Sequence, residues 1–61
     1  MIVLEKDGTM YCLFEDVRVG DQFTFEGQLY VKYSWTHACM IIDTYVGPPL
    51  KFYKKELVAR A

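Results

Sequence analysis

Cys12, His37 and Cys39 are the residues of this sequence best suited to metal binding or to nucleophilic chemistry. His37 and Cys39 are two positions apart, so in a β-strand both side chains point to the same face of the sheet. A structural zinc site needs four ligands with recognisable pair spacing, and this sequence contains no Cys-x-x-Cys pair. We therefore predict that no metal is bound and that both cysteines are reduced and buried.

The remaining combinations of residues do not indicate an enzyme active site. Cys12 with His37 and a carboxylate would need an oxyanion hole in a sheltered cleft, and 61 residues leave little material for one. The adjacent carboxylates Glu15 and Asp16 are predicted to lie on an exposed turn. The segment Val19–Gln22 has neither the glycine spacing nor the lysine of a phosphate-binding loop. We predict a protein without catalytic activity and without a cofactor.

Turn signals divide the first third of the chain. Asp7-Gly8 separates two short apolar runs, and this dipeptide is a strong hairpin signal. The two predicted strands of this hairpin are Ile2–Leu4 and Met10–Phe14. The following segment, Glu15–Asp21, is too short and too polar for a long helix. It predicts a 3₁₀ turn or a bend, with Val17 and Val19 turned inward and a tight corner at Gly20-Asp21.

The stretch VGDQFTFEGQLYVK, from Val19 to Lys32, predicts a second hairpin that turns at Glu26-Gly27. A two-residue turn sets Phe23 opposite Tyr30, whereas a loop one residue longer sets Phe23 opposite Val31. A slip of one residue moves every side chain of the second strand to the other face of the sheet. The longer loop gives the cleaner apolar face, but both faces of a small barrel are partly covered. The sequence therefore leaves both registers open.

The second half of the chain predicts a buried strand followed by a proline stop. His37–Ile42 is almost entirely apolar and six residues long, which fits a central strand buried on both faces better than a helix. Extension of this strand towards Val46 is predicted to end at Gly47-Pro48-Pro49. Leu50–Lys55 fits either a strand or a single helical turn. Leu57–Ala59 is predicted to close the sheet against an early strand.

These elements predict one all-β domain that comprises residues 1–61. Five or six short strands with turn signals about every eight to twelve residues are typical of a small barrel. We expect an SH3-like or partly open barrel, or a strongly bent antiparallel sheet. The N-terminus does not resemble a signal peptide, and no apolar run approaches the roughly 18 residues that span a bilayer. A cytoplasmic location without membrane contact is therefore expected.

The composition predicts exposed aromatic side chains. Hydrophobic residues make up 52% of the chain, and five tyrosines, four phenylalanines and one tryptophan are among them. A domain of this size buries only about 60% of the surface of its unfolded chain, so these aromatic side chains cannot all be internal. Pro48-Pro49 protects one edge of the sheet but not both. We therefore predict that two copies associate as a homodimer.

Charge is distributed unevenly along the chain. Residues 1–30 carry a net charge of −4, from six acidic and two basic residues, and residues 31–61 carry +3, from five basic and two acidic residues. Small barrels bind single-stranded nucleic acid through aromatics flanked by basic residues. The residues that supply this pattern here are Tyr30, Lys32, Trp35, Lys51, Phe52, Tyr53, Lys54 and Lys55. A pI near 5.6 counts against a polyanion as the partner.

The segment FEDVRVGDQFTFEGQLYVKYSWTHA, from Phe14 to Ala38, resembles a recurrent pattern in short phage and prophage proteins. The shared features are an aromatic residue, a bend, Gly-Asp-x-Phe-x-Phe-x-Gly-x-x-Tyr-Val-Lys, a polar turn and an alanine. They cover about two-fifths of the chain. The resemblance implies a compact β module encoded by a mobile element. It also implies binding and blocking of a host protein, as inhibitors of the anti-CRISPR or another anti-defence kind do, and it identifies no functional residue.

We therefore expect a non-enzymatic, phage-encoded protein that binds and inhibits or modulates a host protein, or a host protein–nucleic acid complex, in the host cytoplasm. Tyrosine and tryptophan give a large contact area at low entropic cost. The expected partner contacts are Tyr30, Lys32, Trp35, Tyr45 and Tyr53. A second expected surface, which mimics nucleic acid, consists of Glu15, Asp16 and Asp21. The alternative function is binding of single-stranded nucleic acid, and a virion-assembly role is a third.

Overall fold

The computed structural model describes residues 3–60, which form seven short β-strands in one antiparallel sheet. The strands are β1 (Val3–Lys6), β2 (Thr9–Leu13), β3 (Gln22–Phe25), β4 (Gln28–Lys32), β5 (His37–Ile42), β6 (Tyr45–Lys51) and β7 (Leu57–Arg60). The all-β prediction is confirmed, and the described strands number seven rather than five or six. Met1, Ile2 and Ala61 lie outside the described residues, and so does the predicted start of the first strand at Ile2.

The last strand is inserted into the middle of the sheet. The strand order is β1-β2-β7-β3-β4-β5-β6, and Val58 of β7 lies opposite Cys12 of β2 while Ala59 lies opposite Thr24 of β3. The predicted pairing of the last strand with an early one is therefore confirmed, but this strand lies inside the sheet and does not close it. Over the described residues the sheet is open, and β1 and β6 form its two edges.

Tight turns determine the register of the first two hairpins. Asp7-Gly8 have φ values of 52° and 78°, and Glu26-Gly27 have 52° and 80°. Positive φ at both central residues is the signature of a type I′ turn, whose twist matches that of the strands it joins. The β3–β4 hairpin therefore has the shorter of the two loops considered, and Phe23 lies opposite Tyr30. This register directs Tyr30 to the same face as Phe23.

An aromatic cluster fills the inner face of the sheet. The Phe52 ring lies at its centre, with its centroid 4.9 Å from Phe14, 5.5 Å from Phe23 and 5.2 Å from Tyr30. Edge-to-face and offset-stacked pairs at these separations are favourable geometries for aromatic rings. The remaining buried members of the cluster are Cys12, Val17, Ala38 and Val58. Phe52 lies in the connection between β6 and β7, so the β6–β7 connection crosses the core.

The proline segment does not end strand pairing, contrary to the sequence-based expectation. β6 continues through Pro48 and Pro49, with Pro49 opposite Cys39 and Leu50 opposite Ala38. A β-bulge between Cys39 and Ile41 shifts the register of β5 against β6 beside the prolines. Because β6 is an edge strand, a missing N–H on its outer side breaks no ladder hydrogen bond. Beyond Lys51 the chain leaves the sheet as a loop and forms neither a strand nor a helical turn.

The predicted bend after β2 is a 3₁₀ turn at Phe14–Asp16. Val17 is buried as expected, but Val19 is exposed. The loop around it is held by its backbone, since the N–H of Gly20 donates to the Lys32 carbonyl and the N–H of Asp21 to the Arg18 carbonyl. These hydrogen bonds leave the Val19 side chain in solvent. Within residues 3–60, no helix is long and apolar enough to cross a membrane.

Glu26 occupies a strained backbone position, because a non-glycine residue at φ 52° is disfavoured and asparagine is the best tolerated alternative. We expect Glu26→Asn to raise the free energy of unfolding by about 0.5–1 kcal/mol. The measurement is urea denaturation followed by far-UV circular dichroism. Glu5→Asn, at an exposed position within β1, is the control and should not stabilise the protein. Equal effects of the two substitutions would exclude turn strain as the cause.

Candidate partner-binding surface

A buried lysine organises the end of the molecule where an exposed tryptophan lies. Lys32 ends β4, and only 1% of it is accessible to solvent. Its Nζ donates hydrogen bonds to the carbonyl oxygens of Phe14, at 2.8 Å, and Val17, at 2.7 Å. These carbonyls belong to the 3₁₀ turn and the residue that follows it. The lysine therefore ties the strand to the turn across 15 and 18 positions in the sequence.

Two aromatic rings complete the surroundings of the ammonium group. The Nζ atom of Lys32 lies 4.3 Å from the centroid of the Phe14 ring and 5.4 Å from that of the Trp35 ring. Both distances are within the range of cation–π attraction, which is strongest where water is excluded. The same ammonium therefore contacts the core through Phe14 and the exposed surface through Trp35.

Burial lowers the pKa of the Lys32 amino group, because removal from water disfavours the charged form. The nearby charge of Asp16 acts in the opposite direction, and Cys12 and Glu15 contribute smaller effects of the same sign. Burial raises the pKa of the Cys12 thiol, against the opposing effect of Arg60. The thiol is therefore held in its neutral form, which suits the predicted role of a small apolar residue in the core.

Tyr30 and Lys32 were predicted as partner contacts, but both side chains are buried in the fold. The two-residue turn places both on the inner face with Phe23, because side chains two positions apart in a strand share a face. The Tyr30 ring stacks on Phe23 with a centroid separation of 5.6 Å. Phe52, which the nucleic-acid alternative required at the surface, is also buried.

Three segments meet around the buried lysine and are joined by backbone hydrogen bonds. The 3₁₀ turn pairs with the β6–β7 connection, because the N–H of Phe14 donates to the Glu56 carbonyl at 2.7 Å and that of Glu15 to the Lys54 carbonyl at 3.1 Å. The β4–β5 connection joins them through a 2.8 Å hydrogen bond from the Phe52 N–H to the Thr36 carbonyl. The loops at this end are therefore held in fixed positions relative to one another.

One ion pair links two of these segments at the surface. Lys55 Nζ lies 2.8 Å from Glu15 Oε1. The hydrogen bond from Lys55 lowers the pKa of Glu15, and the same contact raises the pKa of Lys55. Because both groups are exposed, the pair contributes little stability. The ion pair engages Glu15 within the chain. Asp16 is then the carboxylate of the 3₁₀ turn that is available to a ligand.

A groove of about 340 Å³ lies on this end and is lined by Glu15, Asp16, Trp35 and Lys54. Trp35 is 71% exposed, and Tyr53, the chain neighbour of Lys54, is 77% exposed. We call these five residues the Trp35 surface. The structure thus brings together four residues that the sequence analysis named as contacts, Glu15, Asp16, Trp35 and Tyr53, and adds Lys54 from the basic segment.

A wider cavity of about 670 Å³ lies beside the groove and shares Asp16 with it. Its charged lining consists of Asp16, Arg18, Asp21 and Arg60, and its floor includes Cys12, Val17 and Phe23. Two arginines therefore line the cavity together with the two carboxylates, and Glu15 is paired with Lys55. The three acidic residues predicted to mimic nucleic acid are consequently interrupted by basic groups and do not form a continuous negative surface.

Two exposed aromatic residues are not part of the Trp35 surface: Tyr45, which was predicted as a partner contact, and Tyr33, which was not. Tyr45 is exposed at the start of β6, whereas Lys51, at the far end of that strand, pairs with His37 beside the β4–β5 connection. Tyr45 is thus separated from Trp35 by the length of β6. Tyr33 is exposed but was not predicted as a contact. Strand alternation from the inward-facing Lys32 is the signal that places it on the opposite face.

The cysteines and the histidine do not form a site in the described part of the chain. Cys12 and Cys39 are both free and buried, as predicted. His37 Nδ1 is 2.7 Å from Thr36 Oγ1, which satisfies one of its ring nitrogens. Among residues 3–60, no group of three or more histidine, cysteine, aspartate or glutamate side chains could hold a metal ion.

Comparisons of the chain with protein-family models, with curated proteins and with solved structures return no match.

Removal of the Lys32 amino group should strongly destabilise the fold. Lys32→Met leaves the Phe14 and Val17 carbonyls without a donor, and we expect a loss of about 2–4 kcal/mol in the free energy of unfolding. Urea denaturation measures the loss. Lys6→Met is the matched control, because Lys6 also ends a strand but is exposed. A loss below about 0.5 kcal/mol for Lys32→Met would contradict a structural role for the two hydrogen bonds.

The pH titration of Lys32 gives a second test. Because burial lowers its folded-state pKa, the midpoint should lie below that of Lys32 in the urea-unfolded chain, whose reference value is 10.5. Between these two pH values the unfolded state holds the extra proton, so this group raises the free energy of unfolding as pH rises. Cys12 acts with the opposite sign above its reference value of 9.0. Carbon-13 NMR of the Lys32 Cε atom follows the titration of Lys32 separately from that of Cys12. Equal titration midpoints of Lys32 in the folded and unfolded chain would contradict the burial of its amino group.

Proposed function

We propose that this chain is a non-enzymatic binding protein that engages a host protein, or a host protein–nucleic acid complex, through the Trp35 surface. The observation that carries the proposal is the exposure of Trp35, at 71%, above a fixed framework of hydrogen-bonded segments. The resemblance to short phage proteins supports a phage-encoded inhibitor or modulator of a host defence system, acting in the host cytoplasm.

The Trp35 surface has the features of a protein-binding site. Exposed Trp35 lies in a groove that carries charges of both signs, from Asp16 and Lys54, and exposed Tyr53 adjoins Lys54 in the chain. Binding hot spots are enriched in tryptophan and tyrosine, and a polar rim surrounds them. The buried contact of Lys32 with the inner side of Trp35 restricts the indole before a partner binds. A restricted side chain loses less conformational entropy on association.

The proposal extends to the finer architecture, a partly open barrel of the SH3-like kind. Phe14 and Phe23 are fully buried although the described residues form a single sheet. A single layer encloses side chains completely only when it bends around them or when loops cover its inner face. Here the 3₁₀ turn and the β6–β7 connection provide that cover. The loops of the Trp35 surface are therefore part of the structure that closes the core.

Binding of single-stranded nucleic acid is the second candidate. Exposed Lys51 and Lys54 near Trp35 and Tyr53 favour it, since bases stack on aromatic rings while lysines contact phosphates. The burial of Tyr30, Lys32 and Phe52 removes three of the eight residues that supported it in the sequence. Asp16 and Glu15 in the groove also oppose a polyanion. A protein partner is therefore the better supported of the two.

The protein-partner proposal predicts that Trp35→Ala weakens capture of the host partner about 30-fold, corresponding to the roughly 2 kcal/mol of a hot-spot residue. The experiment is affinity capture from bacterial lysate with the tagged chain, followed by titration of the recovered protein. Tyr33→Ala is the matched control, because Tyr33 is an exposed aromatic two positions away that does not line the groove. Failure of the wild-type chain to recover a host protein at any salt concentration would overturn the proposal.

Trp35 fluorescence distinguishes the second candidate. Quenching by a single-stranded oligonucleotide at low ionic strength, and its loss at high ionic strength, would show binding governed by counterion release. We expect no quenching at low ionic strength. Salt-sensitive quenching that Lys54→Ala reduces would favour the nucleic-acid function over the protein partner.

A further inference from the structure

The hairpin formed by β5 and β6 carries a second apolar surface, separate from the Trp35 surface. Ile42, Tyr45, Val46 and Leu50 are each between 42% and 62% exposed. Among the residues whose burial the structure describes, they account for four of the ten large hydrophobic residues that are exposed, although the hairpin is only a quarter of the chain. No charged residue lies between Asp43 and Lys51. A contiguous uncharged edge of this kind marks an interaction site.

The apolar residues of the hairpin lie on both faces of the sheet. Tyr45 pairs with Ile42, whereas the next residue, Val46, pairs with Ile41, so Tyr45 and Val46 point to opposite faces. Burial of one face alone would leave the other in water. A binding partner must therefore cover the β6 edge itself, together with apolar side chains on both faces of the sheet.

Backbone pairing cannot supply this cover on its own. Pro48 and Pro49 lack an N–H, and because successive N–H groups of a strand point to opposite sides, one of the two prolines removes a donor from the outer edge of β6. Contact through side chains remains favourable, and the apolar residues are placed for it. This geometry disfavours an unspecified extended peptide and favours a partner with a complementary apolar edge.

The charges at the two ends of β6 make the edge complementary to itself. Asp43 lies in the turn before the strand, and Lys51 is its last residue. When two copies of β6 run antiparallel about a two-fold axis, the first end of one meets the last end of the other. Asp43 of each copy then lies near Lys51 of its partner, twice per dimer. An isologous interface requires this self-complementarity.

The surface area of the chain is consistent with a covered edge. The solvent-accessible surface is 4438 Å², whereas a compact monomer of 7.2 kDa exposes about 4100 Å². A standard interface covers about 800 Å² of each partner, which is somewhat under a fifth of this surface. A patch of that size is compatible with one edge of the sheet and leaves the Trp35 surface free.

We propose that the β5–β6 hairpin is the interface of a two-fold homodimer in which β6 packs antiparallel against β6 of the second copy. The proposal is independent of the Trp35 surface, which lies beyond the other end of the strand. A dimer of this kind presents two Trp35 surfaces. It binds a partner with two sites more tightly than the single chain does, because the second contact is intramolecular.

Light scattering coupled to size exclusion tests the interface with the full chain at concentrations from about one to one hundred micromolar, where a typical specific dimer is populated. We expect twice the 7.2 kDa monomer mass for the wild type. Val46→Lys should raise the dimer dissociation constant at least tenfold, because it places two ammonium groups in the apolar contact. Val19→Lys is the matched control, since Val19 is 54% exposed against 55% for Val46 and lies in the loop between the 3₁₀ turn and β3.

A charge exchange tests the orientation. Lys51→Glu sets a carboxylate against Asp43 of the partner subunit and should weaken the dimer, and adding Asp43→Asn should restore part of the affinity. Asparagine suits the φ of 53° at position 43. Circular dichroism of each variant establishes that the monomer remains folded. A wild-type mass of 7.2 kDa at every concentration overturns the proposal, as does dissociation by Val19→Lys but not by Val46→Lys.

Discussion

The two hydrogen bonds that Lys32 donates to the Phe14 and Val17 carbonyls are the interaction on which the rest of the structure depends. A chain of 61 residues encloses its core with loops as well as strands, so backbone carbonyls of the 3₁₀ turn face inward. An inward carbonyl without a donor costs about 1–3 kcal/mol. Lys32 supplies donors from the strand that passes beneath the turn. A neutral amine retains two N–H groups, which equals the number of carbonyls, so both protonation states can satisfy the turn.

The exposed surface depends on the same contact. Lys32 fixes the 3₁₀ turn, which carries Glu15 and Asp16, and the turn pairs through its backbone with the segment that carries Tyr53 and Lys54. The Trp35 ring lies within cation–π distance of the same ammonium. A substitution at the buried lysine therefore disturbs every part of the Trp35 surface without contacting a partner. Loss of partner binding in a Lys32 variant therefore reports on the framework that positions the Trp35 surface, whereas loss of binding in a Trp35 variant reports on the surface itself.

The sequence predicted the local turns better than the positions of individual side chains. Asp7-Gly8 is read directly, because few residue pairs accept positive φ at both positions, whereas Glu26-Gly27 was located as a turn without its loop length. The predicted positions of the Tyr30 and Lys32 side chains depended on the choice between two loop lengths at Glu26-Gly27. The apolar pattern favoured the longer loop, whereas the structure has the shorter one. Lysine is rarely buried, so composition gave no signal for its inward position. With the short turn known, strand alternation alone places both residues beside Phe23.

The error at Pro48-Pro49 shows why edge strands are difficult to recognise in a sequence and bears on the proposed contact of this edge with a second copy of the chain. Proline ends a central strand, but an edge strand has one side without ladder bonds, and β6 tolerates two prolines there. The prolines also prevent open-ended addition of strands, which is the usual hazard of an exposed edge. The apolar side chains of β6 remain able to pack against a partner without a ladder of backbone hydrogen bonds. An interface built on side chains closes after two copies when it is isologous, and the opposite charges of Asp43 and Lys51 at the two ends of β6 suit that arrangement.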